Sequence, residues 1–134
     1  GLSNVTFALK DATHFPVEPP YDLIMAFDTI HDLAAPDAVL QRIREALTAN
    51  GAFLMVEFKF SSGVEGNVGN PFAPMYYGFS LLHCTPVSLA AGGPGLGAVW
   101  GEQTAKALLT KAGFSQIAVE DTPRPQNYMF LCRS

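Results

Sequence analysis

The stretch Tyr21–Leu33, YDLIMAFDTIHDL, passes from an apolar run straight into Asp28, His31 and Asp32. These residue types can do acid–base work: an imidazole takes up a proton near neutral pH, and an adjacent carboxylate can orient it. Asp28, at the end of the apolar run, offers a negative charge that a cationic ligand would feel strongly in a pocket of low dielectric. The spacing leaves a second reading open, in which Asp28 only caps a turn before the next helix.

The elements on either side say where such groups would stand. Leu23–Phe27 is too short and too apolar for an amphipathic helix and fits a strand buried on both faces, as in a parallel sheet. Ligands of such sheets bind beyond the carboxyl ends of the strands, so Asp28, His31 and Asp32 should border a pocket. From Pro36 the period changes: Val39, Leu40, Ile43 and Leu47 share one helical face, while Asp37, Gln41, Arg42 and Arg44 look elsewhere. Pro36 suits the first helical turn and Asn50-Gly51 supplies a stop. AFLMVEF, residues 52–58, is a second buried strand, which makes strand, helix and strand one parallel crossover unit.

Around this unit the pattern is less regular. NVTFAL reads as an earlier strand, followed by the turn-rich connection Lys10–Pro20. Residues 60–101 break the rhythm, with SSGVEGNVGNPF and AAGGPGLG flanking MYYGFSLLHC. A segment of this length is expected to be a lid or binding insertion, with a short helix around Met75–His83. Ala105, Leu108, Leu109 and Ala112 stripe a helix over 102–112 that Gly113 ends. FSQIAVE and NYMFLCR close the chain as strands that pair antiparallel or lie apart.

Composition bounds the function. At 134 residues the chain is one domain, and a net charge of -4 without any run of Lys or Arg argues against a nucleic-acid partner. No stretch approaches the ~20 apolar residues of a membrane span, and the start is unlike a signal peptide. Cys84 and Cys132 lack metal-ligand spacing, and His83 next to Cys84 has no further ligands nearby in sequence, so no metal site is expected. Two distant cysteines fit reduced thiols and a cytoplasmic location.

In order and spacing these segments resemble the carboxyl-terminal half of a class I S-adenosylmethionine-dependent methyltransferase. VTFALKDATHFP is similar to that family's third strand and following turn, YDLIMAFDTIHDL to its fourth strand, and LQRIREALTANGAFLMVE to the helix and turn before its fifth. LLTKAGFSQIAVE matches the junction into a sixth strand, and NYMFLCR an antiparallel seventh. The resemblance implies an α/β, Rossmann-like doubly wound sheet, incomplete, with strands three to seven, the last antiparallel. Residues 1–134 would be the carboxyl-terminal part of one methyltransferase-like domain, and 60–101 its lid insertion. The family's first two strands, with the glycine-rich loop and the acidic residue that holds the ribose, have no counterpart here. GGPGLG at Gly92–Gly97 follows no apolar strand and is not that loop.

By the same resemblance the cofactor would be S-adenosylmethionine. Asp11 and Ala12 would meet the adenine edge, and Phe27, Asp28 and Thr29 would lie near its methionine end. A structural reading of Asp11, as support for its own turn, stands beside this. IHDL matches the His-Asp pair of small-molecule O-methyltransferases, where the His deprotonates a hydroxyl. His31 would then be the base and Asp32 its orienting group, unless His31 merely lines the pocket. Tyr76, Tyr77, Phe79 and His83 on the lid could enclose a flat apolar substrate or simply pack the insertion onto the sheet. Glu57, at the end of the second strand, could face the pocket or pair with Lys59.

The expectation is therefore methyl transfer to an O or N nucleophile of a small molecule, inactive in this chain alone if it is truncated. The missing half would come from a preceding segment or a second chain, as in a homodimer. The competing reading is a non-catalytic methyltransferase-like module for dimerisation or binding, whose bared fourth strand a partner would cover. An oxidoreductase half is weaker, since no dinucleotide fingerprint is present.

Overall fold

A computed structural model describes residues 1–134. Four strands form one open sheet in the order β1-β2-β4-β3: β1 is Tyr21–Phe27, β2 Leu47–Phe58, β3 Gln116–Asp121 and β4 Asn127–Arg133. β1 and β2 run parallel, joined through the helix α1, Pro36–Ala46, while β4 pairs antiparallel with both β2 and β3. The lid carries α2, Ala73–Phe79, a π-helical turn over Ser80–Cys84, and α3, Thr85–Ala90. A last helix, α4, covers Gly101–Lys111. The incomplete Rossmann-like sheet with its antiparallel β4 is thus present.

Four local expectations change. Residues 4–9 form no strand; they are exposed and pair with nothing, and an extended segment becomes a strand only through a ladder partner. The sheet consequently has four strands rather than five. α1 ends at Ala46, ahead of Asn50-Gly51, because Leu47 already pairs with Tyr21 and the register then slips to Leu23 opposite Ala52. Gly51 serves that irregularity: a Cβ there would stand 2.9 Å from the Tyr21 carbonyl oxygen. The lid helix also runs past His83, to Ala90.

The fourth change concerns β1. It is not buried on both faces: Leu23, Met25 and Phe27 are 49%, 55% and 57% exposed. The reason is the placement of the helices. Ile24 and Ala26 of β1, Phe53 and Met55 of β2, and Phe130 and Cys132 of β4 all pack in one core with Val39, Leu40 and Ile43 of α1 and Ala105 and Leu109 of α4. Both helices therefore cover the same face. The other face, where Met25 pairs with Leu54 and Leu54 with Leu131, stays partly open. β1 is also an edge strand, so its apolar run has no strand on its outer side and no second covering layer within this chain.

The lid is tied down at both ends. Ser88, fully buried on α3, donates from Oγ to the Leu33 carbonyl at 2.9 Å and accepts from the Gly95 N–H at 3.1 Å. Gly101, at φ +78, lets the start of α4 press on the other end: a Cβ would lie 2.2 Å from the Ser62 backbone nitrogen. No helix is long and apolar enough to cross a membrane.

Candidate functional site

The site grows from the carboxyl ends of the two parallel strands. Beyond Phe27 the chain must leave the sheet, and Asp28 turns it with φ +46, a left-handed conformation costing a non-glycine residue roughly 1–3 kcal/mol. Three bonds hold the turn: the Asp28 N–H donates to the Val56 carbonyl at 2.9 Å, Asn127 Nδ2 donates to Asp28 Oδ1 at 3.2 Å, and the Thr29 hydroxyl donates to the Phe27 carbonyl at 2.6 Å. A single 3₁₀ turn follows over Ile30–Asp32. Ile30 is drawn into the core, 2% exposed, and His31 goes in with it at 2%.

Burial of His31 is matched by Glu57. Along β2 the side chains alternate, so Phe53, Met55 and Glu57 share the helix-covered face, and Glu57 is completely buried. A carboxylate there requires partners. His31 Nδ1 lies 2.6 Å from Glu57 Oε2, and Trp100 Nε1 donates to the same oxygen at 3.2 Å. Glu57 Oε1 has no hydrogen-bond partner. Asn127 Nδ2 also donates to the Glu57 carbonyl oxygen at 3.3 Å, which links the Asp28 turn to β2.

The second nitrogen of His31 is uncommitted. Nε2 makes no hydrogen bond and faces Asp32 Oδ1 at 3.4 Å, a buried oxygen that itself lacks a partner. Burial works against charging the imidazole, but the hydrogen bond and charge of Glu57 outweigh it, and Asp32 and Asp28 add to them, so His31 titrates above the usual imidazole range. Burial and the charge of Glu57 likewise raise Asp28, while His31 partly offsets them. Burial pushes the Cys84 thiol up to about 11, with Asp32 adding to the effect.

The predicted residues distribute as follows. Glu57, not the adjacent Asp32, holds His31 Nδ1; Asp32 stands at the opposite nitrogen. Ala12, Phe27 and Thr29 line an apolar groove of about 420 Å³ with Phe15, Met25 and Leu33. Phe27 and Asp28 border a second cavity of about 480 Å³ with Thr122, Arg124 and Asn127. Asp11 reaches neither: its Oδ1 accepts from the Thr13 N–H at 2.8 Å and the Thr13 hydroxyl at 2.7 Å, which supports its own turn and holds its carboxyl below the ordinary range. A larger polar depression of about 690 Å³ lies by Lys59, Glu102 and Asp121, away from all of them.

Of Tyr76, Tyr77, Phe79 and His83 on the lid, Tyr76 is linked to the site through Phe58. Its ring packs 4.5 Å from Phe58, which in turn lies 5.7 Å from the His31 ring, and Phe79 meets the edge of Tyr76 at 6.0 Å. Tyr77 turns into the lid, where its hydroxyl accepts from Asn67 Nδ2 at 3.0 Å. His83 is exposed. Lys59 pairs with Asp121 rather than Glu57.

Glu57, Trp100 and Asn127 carry much of the geometry, and of these the sequence points only to Glu57, as a residue that could face the pocket or pair with Lys59. Strand parity held the one usable signal, since Phe53 and Met55 predict the burial of Glu57. Trp100 and Asn127 arrive from distant segments and leave no local mark.

An open sheet with one parallel crossover, an antiparallel β4 and a titratable cluster at the carboxyl ends of β1 and β2 is a Rossmann-like α/β arrangement. Residues 1–89 match the family model of the methyltransferase domain, and the chain belongs to that family. No curated protein sequence matches it significantly. Among solved structures it is similar to TnmH, with 23% identity and a TM-score of 0.69, covering 96% of this chain and 34% of that one. It is also similar to human N-acetylserotonin methyltransferase in complex with SAM, with 20% identity, a TM-score of 0.64, and 96% and 33% covered. For the pyocyanin biosynthetic protein PhzM the identity is 20%, the TM-score 0.63, and the coverage 93% and 34%. The chain thus spans about a third of the length of these structures.

Proposed function

We propose that this chain forms the acceptor side of a site for S-adenosylmethionine-dependent methyl transfer to an oxygen or nitrogen nucleophile of a small molecule. The carrying observation is the buried His31–Glu57 pair at 2.6 Å, which commits Nδ1 and leaves Nε2 free to take a proton. Glu57 fixes the tautomer with hydrogen on Nδ1. Asp32, at 3.4 Å from Nε2, makes that nitrogen more basic and steadies the imidazolium once formed.

The residues present suit one side of such a cofactor. The groove of Ala12, Phe27 and Thr29 is apolar enough for a flat heterocycle, and Asp28 places a carboxyl group in the second cavity, which shares Phe27 with it. When bound, the cofactor would supply an electrophilic methyl group on a sulfonium whose leaving group is already built in. What the protein adds is mainly positioning. Since His31 is 2% exposed, an acceptor reaches Nε2 only if the groups packed around it, Cys84 of the π-helical turn among them, move aside.

The test is a calorimetric titration of S-adenosylhomocysteine into the full-length protein, with Asp28→Ala beside it. Micromolar binding that weakens severalfold in the variant is expected. A folded protein without binding would overturn the reading. It would instead favour the second one, a non-catalytic dimerisation or binding module, which the open apolar face at Leu23, Met25 and Phe27 makes physically reasonable.

A further inference from the structure

We infer that His31 Nε2, Asp32 Oδ1 and Cys84 Sγ form a binding site for a divalent cation of the zinc type. The three atoms come from two places in the chain. His31 and Asp32 belong to the 3₁₀ turn after β1, and Cys84 ends the π-helical turn of the lid. All three lie within 4.8 Å of one another.

Three features make this more than proximity. The first is chemical: imidazole, carboxylate and thiolate together are a borderline-soft donor set of the kind zinc takes, with a fourth position left for water. The second is the state of the atoms, since Nε2 has no hydrogen bond and Asp32 Oδ1 is buried without a partner. A cation would satisfy both. The third is the support behind the histidine. Metal-bound histidines usually give their other N–H to a carboxylate, and Glu57 already holds Nδ1 at 2.6 Å while Trp100 steadies the same oxygen.

The fit needs a modest closure. Ligand distances of about 2.0–2.3 Å place tetrahedral donors roughly 3.5 Å apart, so the widest separation must shrink by about an ångström. On binding, the Cys84 thiol gives its proton to solvent and the thiolate joins the cation; no oxidation is involved. If His31 is the base, occupancy ties up its lone pair and the cation opposes catalysis. That consequence rests on the proposed function, whereas the site itself does not.

Cobalt(II) alone is the probe, titrated into the reduced protein and followed by the thiolate-to-cobalt charge-transfer absorption and by the intensity of the visible bands. Saturable one-to-one binding with both signals is expected. Cys84→Ser should abolish the charge-transfer band and Cys132→Ser should leave it intact, while Asp32→Asn should weaken binding at least tenfold. Absence of saturable binding, or a band that survives Cys84→Ser, would overturn the site. Circular dichroism shows whether each variant is folded, and Asp32→Asn, at a partly exposed position, keeps the test decisive if Cys84→Ser does not fold. None of these readouts depends on methyl transfer.

Discussion

His31 Nδ1 and Glu57 Oε2 meet at 2.6 Å although 26 positions separate the two residues in sequence. The parallel β1–α1–β2 crossover brings them together, because it aligns the carboxyl ends of both strands at one edge of the sheet. Most of the candidate site hangs on that contact.

Glu57→Gln preserves shape and removes the charge. Without it, the imidazole loses the main influence holding its pKa up against burial, so the pKa of His31 should fall. An NMR titration of the imidazole should show the midpoint moving acid of the native one. An unmoved midpoint would mean that Glu57 does not govern the histidine.

The same contact makes stability depend on pH with a definite sign. The folded-state pKa of His31 is raised above its unfolded value, so its contribution is fully present below about 6.5 and is lost as pH rises through the folded value. Denaturant unfolding across that interval should show a decline that His31→Gln flattens. Any rate that depends on His31 as a base should rise over the same interval, alkaline of an ordinary histidine.

His31→Gln should also lower turnover of a hydroxyl acceptor at least about tenfold, since general-base catalysis typically contributes about 10²–10⁴. Initial rates at saturating cofactor decide this. An unchanged rate would leave His31 as a pocket wall only.

Trp100→Phe keeps most of the buried ring volume and removes the Nε1–H donor to Glu57. Leaving part of a buried carboxylate undersatisfied should cost about 1–3 kcal/mol by chemical denaturation. The His31 midpoint should shift in the same experiment, because Glu57 loses one of its two anchors.

Gly101→Ala tests the seat of the lid. The residue has φ +78 and a Cβ would stand 2.2 Å from the Ser62 nitrogen, so both strain and collision follow. The cost should exceed about 1 kcal/mol in thermal unfolding. Gly69→Ala is the comparison: φ is +86 there but nothing lies within 4 Å, and its cost should be smaller.

Much of this protein could be read from local pattern. The apolar runs at Leu23–Phe27 and 52–58, the stripe from Val39 to Leu47 and the stop at Gly113 each report burial or backbone conformation within a few residues. They were enough to place β1, α1, β2, α4, β3 and β4 and to set Asp28, His31 and Asp32 at a strand end. The exposure of one face of β1 was not legible, because the run records that both faces are apolar and not whether this chain covers them. NVTFAL misled for a related reason: alternation supplies a strand's side chains but not its hydrogen-bonding neighbour.

The partners of His31 were decided only by the tertiary structure. Sequence adjacency pointed to Asp32, which does face Nε2 at 3.4 Å, but the carboxylate bonded to Nδ1 comes from elsewhere in the chain. The crossover delivers Glu57 from β2, while Trp100, just ahead of α4, and Cys84, on the lid, come from segments outside it. Local periodicity can say that Glu57 is buried; which group compensates its charge depends on contacts between segments far apart in the chain, which no short window contains.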